Sequence, residues 1–161
     1  MKDLQIVWQR LVNAAGTTCP RCEGTGDEVH LAVERLAAAL EPLGVRPTLE
    51  VRALDQAVFS EQPSESNRIW IAGRPLESWV DGQSGSSRCC DECGDNDCRT
   101  LEVDGRSYEV IPSELLIRAG LAAASSMLDD SSTTVVDSGV SNSRSPIMKN
   151  VQIFDPAMCC S

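Results

Sequence analysis

The sequence predicts an α/β protein, a sandwich of helices on a central mixed sheet with a cysteine-rich loop insert and a disordered C-terminal linker. Strand-like apolar runs alternate with helix-like periodic segments over residues 4–128. A helical crossover between the first two strands requires them to be parallel, whereas Asp104-Gly105 favours a tight turn between antiparallel strands. A chain of 161 residues, 42% of them hydrophobic, suits one small soluble domain with a tail.

The first third of the chain contains two predicted strands with a helix between them. Leu4–Val12 is short and rich in large apolar residues, and Thr48–Leu54 alternates apolar with charged residues, so both are predicted strands. Thr25 and Glu28 have the spacing of a capping box and predict that the helix begins there. Gly44 ends the helix. Its apolar residues recur at spacings of three or four and are Val29, Val33, Leu36, Ala37, Leu40 and Leu43.

The middle of the chain contains a third predicted strand between loops. Ala53–Phe59 suits a short helical turn, and Gln62–Asn67 has the proline and serines of a loop. Arg68–Ala72 reads as a strand that Gly73 and a nearby proline end. Asp81–Ser87 is rich in glycine and serine, so we expect a flexible approach to the cysteine cluster.

The last part of the chain is predicted to hold a hairpin, a helix and a tail. Leu101–Ile111 is the hairpin around the Asp-Gly turn, and Glu114–Leu128 is the last helix, preceded by Pro112. Residues 129–147 are dominated by Ser, Thr and Asp, and ordering them would cost more entropy than their burial could offset. They are therefore a predicted linker to residues 148–161, where an apolar run returns.

Charge and hydropathy argue against several classes of partner. The chain has 14 basic and 24 acidic side chains, a formal charge of -10, so we expect no nucleic-acid partner and no anionic membrane surface. No stretch approaches the roughly 18 apolar residues of a spanning helix, and residues 1–13 are too polar for a signal peptide. We therefore expect a cytoplasmic protein. In a reducing cytoplasm, its eight cysteines indicate redox exchange or metal ligation rather than disulfides.

Cys19 and Cys22 form a C-x-x-C motif after the first strand. This spacing lets one thiolate attack a disulfide while the other resolves the mixed disulfide, and Arg21 with the helix N-terminus would favour the thiolate. The same motif is half of many zinc sites, so both interpretations stay open. His30, the single histidine, is interpreted as an ordinary helix residue.

Residues 4–128 resemble the thioredoxin superfamily, and more closely a thioredoxin-like family with a T-C-P-R-C start and a later cysteine-rich stretch. The resemblance is carried by Thr18 to Cys22, by the string I-A-G-R-P-L-E at residues 71–77 and by Cys98-Arg99. It implies a thioredoxin-like domain over residues 1–128, with Cys19 as the nucleophile and Cys22 as the resolving thiol of a dithiol–disulfide oxidoreductase.

Four further cysteines stand within ten residues, among carboxylates. Three of their thiols provide enough soft ligands for Zn(II), for trivalent arsenic or antimony, or for an iron–sulfur cluster. The carboxylates suit a site that gains a cation. Two other interpretations stay open: redox thiols that accept a disulfide from the C-x-x-C pair, and a zinc knuckle that stiffens a loop. The four residues are Cys89, Cys90, Cys93 and Cys98.

Cys159 and Cys160 end the string F-D-P-A-M-C-C-S. Residues 148–161 resemble the N-terminal start of the arsenic metallochaperone and arsenical-resistance operon repressor family. The resemblance implies that these two cysteines are metalloid ligands and that an arsenite efflux ATPase receives the metalloid. A functional fusion and a truncated remnant are both open interpretations of the tail.

These observations lead to one hypothesis, the thiol-based handling of trivalent arsenic or antimony in arsenic resistance. Cys90, Cys93 and Cys98 are the first choice of ligands, and Cys19 and Cys22 would pass the metalloid on or keep the ligands reduced. A soft metal or metalloid ion is the expected partner, together with an efflux ATPase or a thiol-redox protein. The alternatives are the oxidoreductase and a zinc-stabilised interaction module.

Overall fold

The computed structural model describes residues 1–89 and 93–130 and confirms the mixed α/β class. Of the predicted linker, residue 129 is the last residue of the final helix and residue 130 follows it, while residues 131–147, the segment 148–161 and three cysteines, Cys90, Cys159 and Cys160, lie outside the described residues. The strands are β1 (Lys2–Leu11), β2 (Val45–Leu54), β3 (Arg68–Ile71), β4 (Arg74–Pro75), β5 (Gln83–Arg88), β6 (Asp97–Val103) and β7 (Arg106–Tyr108). The α-helices are α1 (Pro20–Leu40), α2 (Gln56–Glu61), α3 (Glu77–Val80) and α4 (Ser113–Asp129), and the 3₁₀ turns are Glu41–Leu43 and Pro63–Glu65.

A mixed sheet of four strands in the order β2-β1-β3-β4 forms the centre of the structure. The first two strands are parallel, with Lys2 opposite Val45, as the helical crossover predicted. Strand β3 runs antiparallel to β1. Helices α1 and α4 pack against each other and against β1, on which Leu4, Ile6 and Trp8 alternate into the core. Among the described residues, no helix is both long enough and apolar enough to cross a bilayer.

The predicted hairpin is confirmed, but it belongs to a second sheet, β5-β6-β7. Asp104 and Gly105 both have positive φ, 52° and 74°, as a type I′ turn requires. The expectation of a flexible segment at residues 81–87 was wrong, because Gln83–Arg88 is a strand paired antiparallel with β6. The pairing with a buried neighbour supplies the order that the Gly- and Ser-rich composition does not predict.

The predicted start of the first helix was also wrong. Helix α1 begins at Pro20, with Cys19 as its N-cap, because proline at the first position already has the helical φ and needs no hydrogen-bond donor. Thr25 is buried instead of capping, and its Oγ1 accepts the backbone N–H of Ile111 at 3.2 Å. Glu28 accepts the backbone N–H of Ser113 at 2.7 Å, so it caps α4 rather than α1.

Candidate metal centre

Five cysteine thiols converge at one end of the central sheet. Cys19 and Cys22 come from the start of α1, and Cys89, Cys93 and Cys98 come from the β5–β6 hairpin. The Sγ atoms form a chain of short separations: 4.0 Å from Cys19 to Cys89, 3.2 Å from Cys89 to Cys93 and 3.1 Å from Cys93 to Cys98. None of the five is joined in a disulfide.

Three of these sulfurs have the arrangement of a metal-binding group. The Sγ atoms of Cys19, Cys89 and Cys93 all lie within 4.8 Å of one another, so these residues could hold a metal ion. A tetrahedral zinc–thiolate site, with bonds of 2.3 Å, separates its sulfurs by about 3.8 Å. The observed separations of 3.2 and 4.0 Å bracket that value. The donor set therefore fits a soft thiophilic ion.

The start of α1 determines the position of Cys19. Its backbone is extended, with φ -72° and ψ 157°, and its carbonyl oxygen accepts the N–H of Glu23 to open the helix. The thiol therefore lies beside the first-turn N–H groups, where the helix dipole favours negative charge. Cys22 follows within the first turn and is buried.

The β5–β6 register determines the positions of the other three thiols. Ser87 pairs with Cys98, and Arg88 pairs with Asp97, so Cys89 and Cys93 lie beyond the last paired residues of the hairpin. The Arg88 guanidinium binds both the carboxylate and the carbonyl oxygen of Asp95, which braces this loop. Cys98 lies on β6 itself, while Cys89 and Cys93 lie in the loop.

Arg21 joins the two segments that carry the thiols. We expected its charge to favour the Cys19 thiolate, but its hydrogen bonds go to the hairpin instead. The guanidinium donates to Ser87 Oγ at 3.1 Å and to the Arg88 carbonyl oxygen at 2.8 Å, and it pairs with Glu109 at 2.8 Å. Its role is therefore to hold the strand that leads into Cys89. No sequence pattern pointed to Glu109 or Ser87.

A buried ion pair braces the hairpin from the other side. Arg99, next to Cys98, pairs with Glu77 at the start of α3 and donates to the Ser64 carbonyl oxygen at 2.9 Å. The side chain of Arg99 is only 9% exposed and that of Glu77 only 15%. The pair connects two of the strings that carried the family resemblance, residues 71–77 and Cys98-Arg99, and it holds β6 against α3, while the bond to Ser64 holds it against the Pro63–Glu65 turn.

The thiols of the cluster differ in the direction in which their pKa values are shifted. Hydrogen bonds from the thiols of Cys22 and Cys98 lower the pKa of Cys19. The pKa of Cys22 is raised by its hydrogen bond to Cys19 and by burial. Burial raises the pKa of Cys93, and the hydrogen bond to Cys19 together with burial raises that of Cys98. The negative charge in this group is thus concentrated on Cys19, and its neighbours act as donors.

The five thiols differ in their exposure to solvent. Cys19, Cys22, Cys93 and Cys98 are at most 3% exposed, whereas Cys89 is partly exposed. Cys89 lines a cleft of about 390 Å³ whose other walls are Pro20, Arg21, Arg88, Glu109 and Val110. Cys19 lines a second pocket of only about 10 Å³, so among the described thiols Cys89 is the one that a solute larger than water reaches.

The structure brings together cysteines that the sequence assigned to separate motifs. Cys19, predicted as a catalytic nucleophile, lies with Cys89 and Cys93, which were predicted metal ligands. The first-choice set of Cys90, Cys93 and Cys98 is not tested, because Cys90 is outside the described residues. His30 is exposed and lies outside this group, in agreement with its interpretation as an ordinary helix residue.

Comparison with known proteins places the chain in a family. A protein of Archaeoglobus fulgidus, which carries the name "Uncharacterized protein", is 43% identical over 114 residues, or 71% of this chain and 82% of that protein. No solved structure matches the chain. The family described as "Domain of unknown function (DUF2703)" matches residues 4–120, so the chain belongs to that family.

Proposed function

We propose that the protein binds trivalent arsenic or antimony in the cytoplasm through Cys19, Cys89 and Cys93, as part of arsenic resistance. The observation that carries the proposal is the mutual approach of these three sulfurs within 4.8 Å. A trivalent metalloid takes three bonds, and a soft centre prefers thiolate to oxygen ligands. The tail's resemblance to arsenic metallochaperones supports arsenic over other soft ions.

The binding reaction is a substitution at the metalloid. The Cys19 sulfur, which carries the lowered pKa, is the first nucleophile from the buried group. Each new sulfur–arsenic bond replaces one arsenic–oxygen bond of arsenite. The departing hydroxide takes up one proton and leaves as water. For a protonated thiol the proton comes from that thiol. For the Cys19 thiolate it comes from solvent. No electron is transferred, so the metalloid stays trivalent.

The fold reduces the entropy cost of the second and third bonds. The thiols of Cys89 and Cys93 are held at 3.2 Å in the hairpin loop, and that of Cys19 is held by the helix start. The side chains of Cys19 and Cys93 lie in the apolar core, while Cys89 leaves one side of the site open to the cleft. Preorganisation of this kind increases affinity without additional contacts.

Native mass spectrometry of the full chain with arsenite tests the proposal. We expect one arsenic per chain, with three arsenic–sulfur bonds by X-ray absorption. Cys93→Ser removes the central thiol and should weaken binding by about a hundredfold or more, the effect of losing one well-placed ligand. Arg46→Gln, which breaks an exposed ion pair with Asp3 outside the cluster, is the control and should bind normally. Wild-type protein without an arsenic adduct would contradict the proposal.

The role of the tail is tested with the double variant Cys159→Ser/Cys160→Ser. If the described cluster is sufficient, this variant binds one arsenic with three sulfur ligands. Loss of the adduct in both this variant and Cys93→Ser would instead mean that the tail supplies a ligand, as in a functional fusion. We propose that the bound metalloid then passes to an arsenite efflux ATPase, which would be seen as arsenite-dependent stimulation of ATP hydrolysis by the loaded protein.

A structural zinc site is a second candidate, favoured by the position of Cys98. Its sulfur lies 3.1 Å from that of Cys93, so a fourth sulfur adjoins the trio. Four thiolates are the usual ligands of a zinc ion that stabilises a loop. Zinc that survives purification in a ratio of one per chain, and whose removal by a chelator unfolds the protein, would favour this candidate.

Dithiol–disulfide exchange is a third candidate, favoured by Cys19. Its position at the N-cap of α1 and its lowered pKa match a nucleophilic thiol, and Cys22 is within hydrogen-bonding distance as the resolving thiol. The thioredoxin resemblance supports the same chemistry. Reduction of insulin disulfides by the purified protein, abolished in Cys19→Ser, would favour it. A thiol-redox protein would then be the partner that restores the dithiol.

A further inference from the structure

The described cluster contains more thiols than a trivalent ion has bonds. Five sulfurs converge, and three suffice for trivalent arsenic or antimony. The spare thiols differ most in access: Cys89 faces the open cleft, whereas Cys98 is only 2% exposed. The position of Cys98 relative to Cys19, Cys89 and Cys93 indicates a role for one of the additional thiols.

Cys93 occupies the middle of the cluster. Its sulfur lies 3.2 Å from that of Cys89 on one side and 3.1 Å from that of Cys98 on the other. Cys19 lies 4.0 Å from Cys89 and within 4.8 Å of Cys93. Replacing Cys89 by Cys98, the other neighbour of Cys93, therefore gives a second set of three thiols that keeps Cys19 and Cys93.

We propose that the site has two positions for the metalloid: an outer position with Cys19, Cys89 and Cys93 as ligands, and an inner position in which Cys98 replaces Cys89. This inference rests on the proposed function and deepens it. The ion is loaded at the outer position, beside the cleft, and is retained at the inner position. Transfer between them changes one ligand and leaves two bonds in place.

The exchange is balanced without a further reactant. The Cys98 sulfur attacks the bound metalloid and forms a new sulfur–arsenic bond as the bond to Cys89 breaks. The proton of the Cys98 thiol passes to the departing Cys89 thiolate. Oxidation states do not change, and three sulfur–arsenic bonds exist before and after. Release follows the reverse route, with Cys89 recapturing the ion at the cleft.

The two positions have different kinetic consequences. Arsenite from solution reaches the cluster at Cys89, and so does a small thiol that competes for the bound ion. The rate of loading therefore depends on this residue. Once the ion lies among residues that are at most 3% exposed, a competing thiol cannot attack it directly. Slow release therefore depends on Cys98.

Stopped-flow absorbance of the sulfur–arsenic bonds, with full-length protein and arsenite, measures loading, and a chase with excess dimercaptosuccinate measures release. We expect Cys89→Ser to load about tenfold more slowly and, because release passes back through Cys89, to release about tenfold more slowly as well. Cys98→Ser should load normally and release about tenfold faster. Arg46→Gln, which breaks an exposed ion pair with Asp3, is the control and should change neither rate. Equal effects of Cys89→Ser and Cys98→Ser on both rates would overturn the inference.

Alkylation of arsenite-loaded wild-type protein gives a second test that does not depend on the folding of a variant. Iodoacetamide followed by peptide mass spectrometry should label Cys89, which the inner position leaves as a thiol, and should spare Cys19, Cys93 and Cys98. Protection of Cys89 along with the other three would place the ion at the outer position and overturn the inference. Absence of any arsenic adduct would instead mean that the proposed function itself is wrong.

Discussion

The sulfur of Cys89 lies 4.0 Å from the sulfur of Cys19, although 70 residues separate them in the sequence. The contact joins the start of a helix on the central sheet to a hairpin loop of the second sheet. The candidate centre therefore exists only when the two sheets are docked. Its affinity for an ion should depend on the residues that hold the hairpin in place as well as on the thiols.

Substitution of Arg21 tests this dependence. Arg21→Gln removes the ion pair with Glu109 and the bonds to Ser87 and Arg88, which loosens the strand that leads into Cys89. We expect arsenite affinity to fall about tenfold, because each hydrogen bond from a charged group contributes roughly 1.5 to 3 kcal/mol. Isothermal titration of the purified protein measures this.

The control for Arg21→Gln is Arg46→Gln, which removes an exposed ion pair with Asp3 far from the thiols. It should leave arsenite affinity unchanged. An Arg21→Gln protein that binds as tightly as wild type would show that the hairpin stays in place without this residue.

Loss of Glu77 should destabilise the whole fold. In Glu77→Ala the buried guanidinium of Arg99 loses its partner, and such a change typically costs about 3 kcal/mol. Urea denaturation followed by circular dichroism measures the loss. Asp3→Asn, which breaks the exposed pair with Arg46, should cost less than about 1 kcal/mol. Similar losses in the two variants would mean that the Arg99–Glu77 pair contributes no more than a surface pair.

Acid should selectively weaken the junction between α1 and α4. The hydrogen bonds of Ser113 lower the pKa of Glu28, so its carboxylate stabilises the folded state above the ordinary glutamate pKa of about 4.3. That contribution is lost as the pH falls through the lower, folded-state value. Glu28→Gln should therefore cost about 0.5 kcal/mol at pH 7 and progressively less below pH 4.

The free energy of unfolding of wild type and Glu28→Gln, measured in urea between pH 7 and pH 3, checks this. Glu34→Gln, at an exposed position of the same helix, serves as the control and should track wild type. A constant difference between Glu28→Gln and wild type across this range would refute the assigned charge effect.

The contact between Gly26 and Trp8 leaves no space for a methyl group. A Cβ at Gly26 would lie 2.6 Å from the buried indole ring, which is itself hydrogen-bonded to Asn67. Gly26→Ala should destabilise the protein by about 1 to 3 kcal/mol despite the better helix propensity of alanine. Thermal denaturation compares it with Gly24→Ala, whose Cβ would meet only the half-exposed Val110 at 3.1 Å. We expect Gly24→Ala to be neutral or stabilising, and equal losses in the two variants would be the contrary result.

Local patterns in the sequence predicted most elements of the fold. The apolar run at residues 4–12, the period of residues 29–43 and the Asp104-Gly105 turn correspond to β1, α1 and the β6–β7 hairpin. Each pattern depends on residues that are near neighbours in the chain, so it predicts the local structure without information on the rest of the protein. The same reasoning failed at residues 83–88, where order comes from pairing with β6.

The sequence by itself determined that thiols are the candidate functional groups and which cysteines are available. Only the tertiary structure decided that the C-x-x-C motif and the cysteine-rich loop share one centre, that Cys89 is its accessible member, and that Arg21 and Arg99 hold it together. The physical reason is that a ligand set depends on distances between side chains that are remote in sequence. Those distances are determined by the docking of the second sheet against the first.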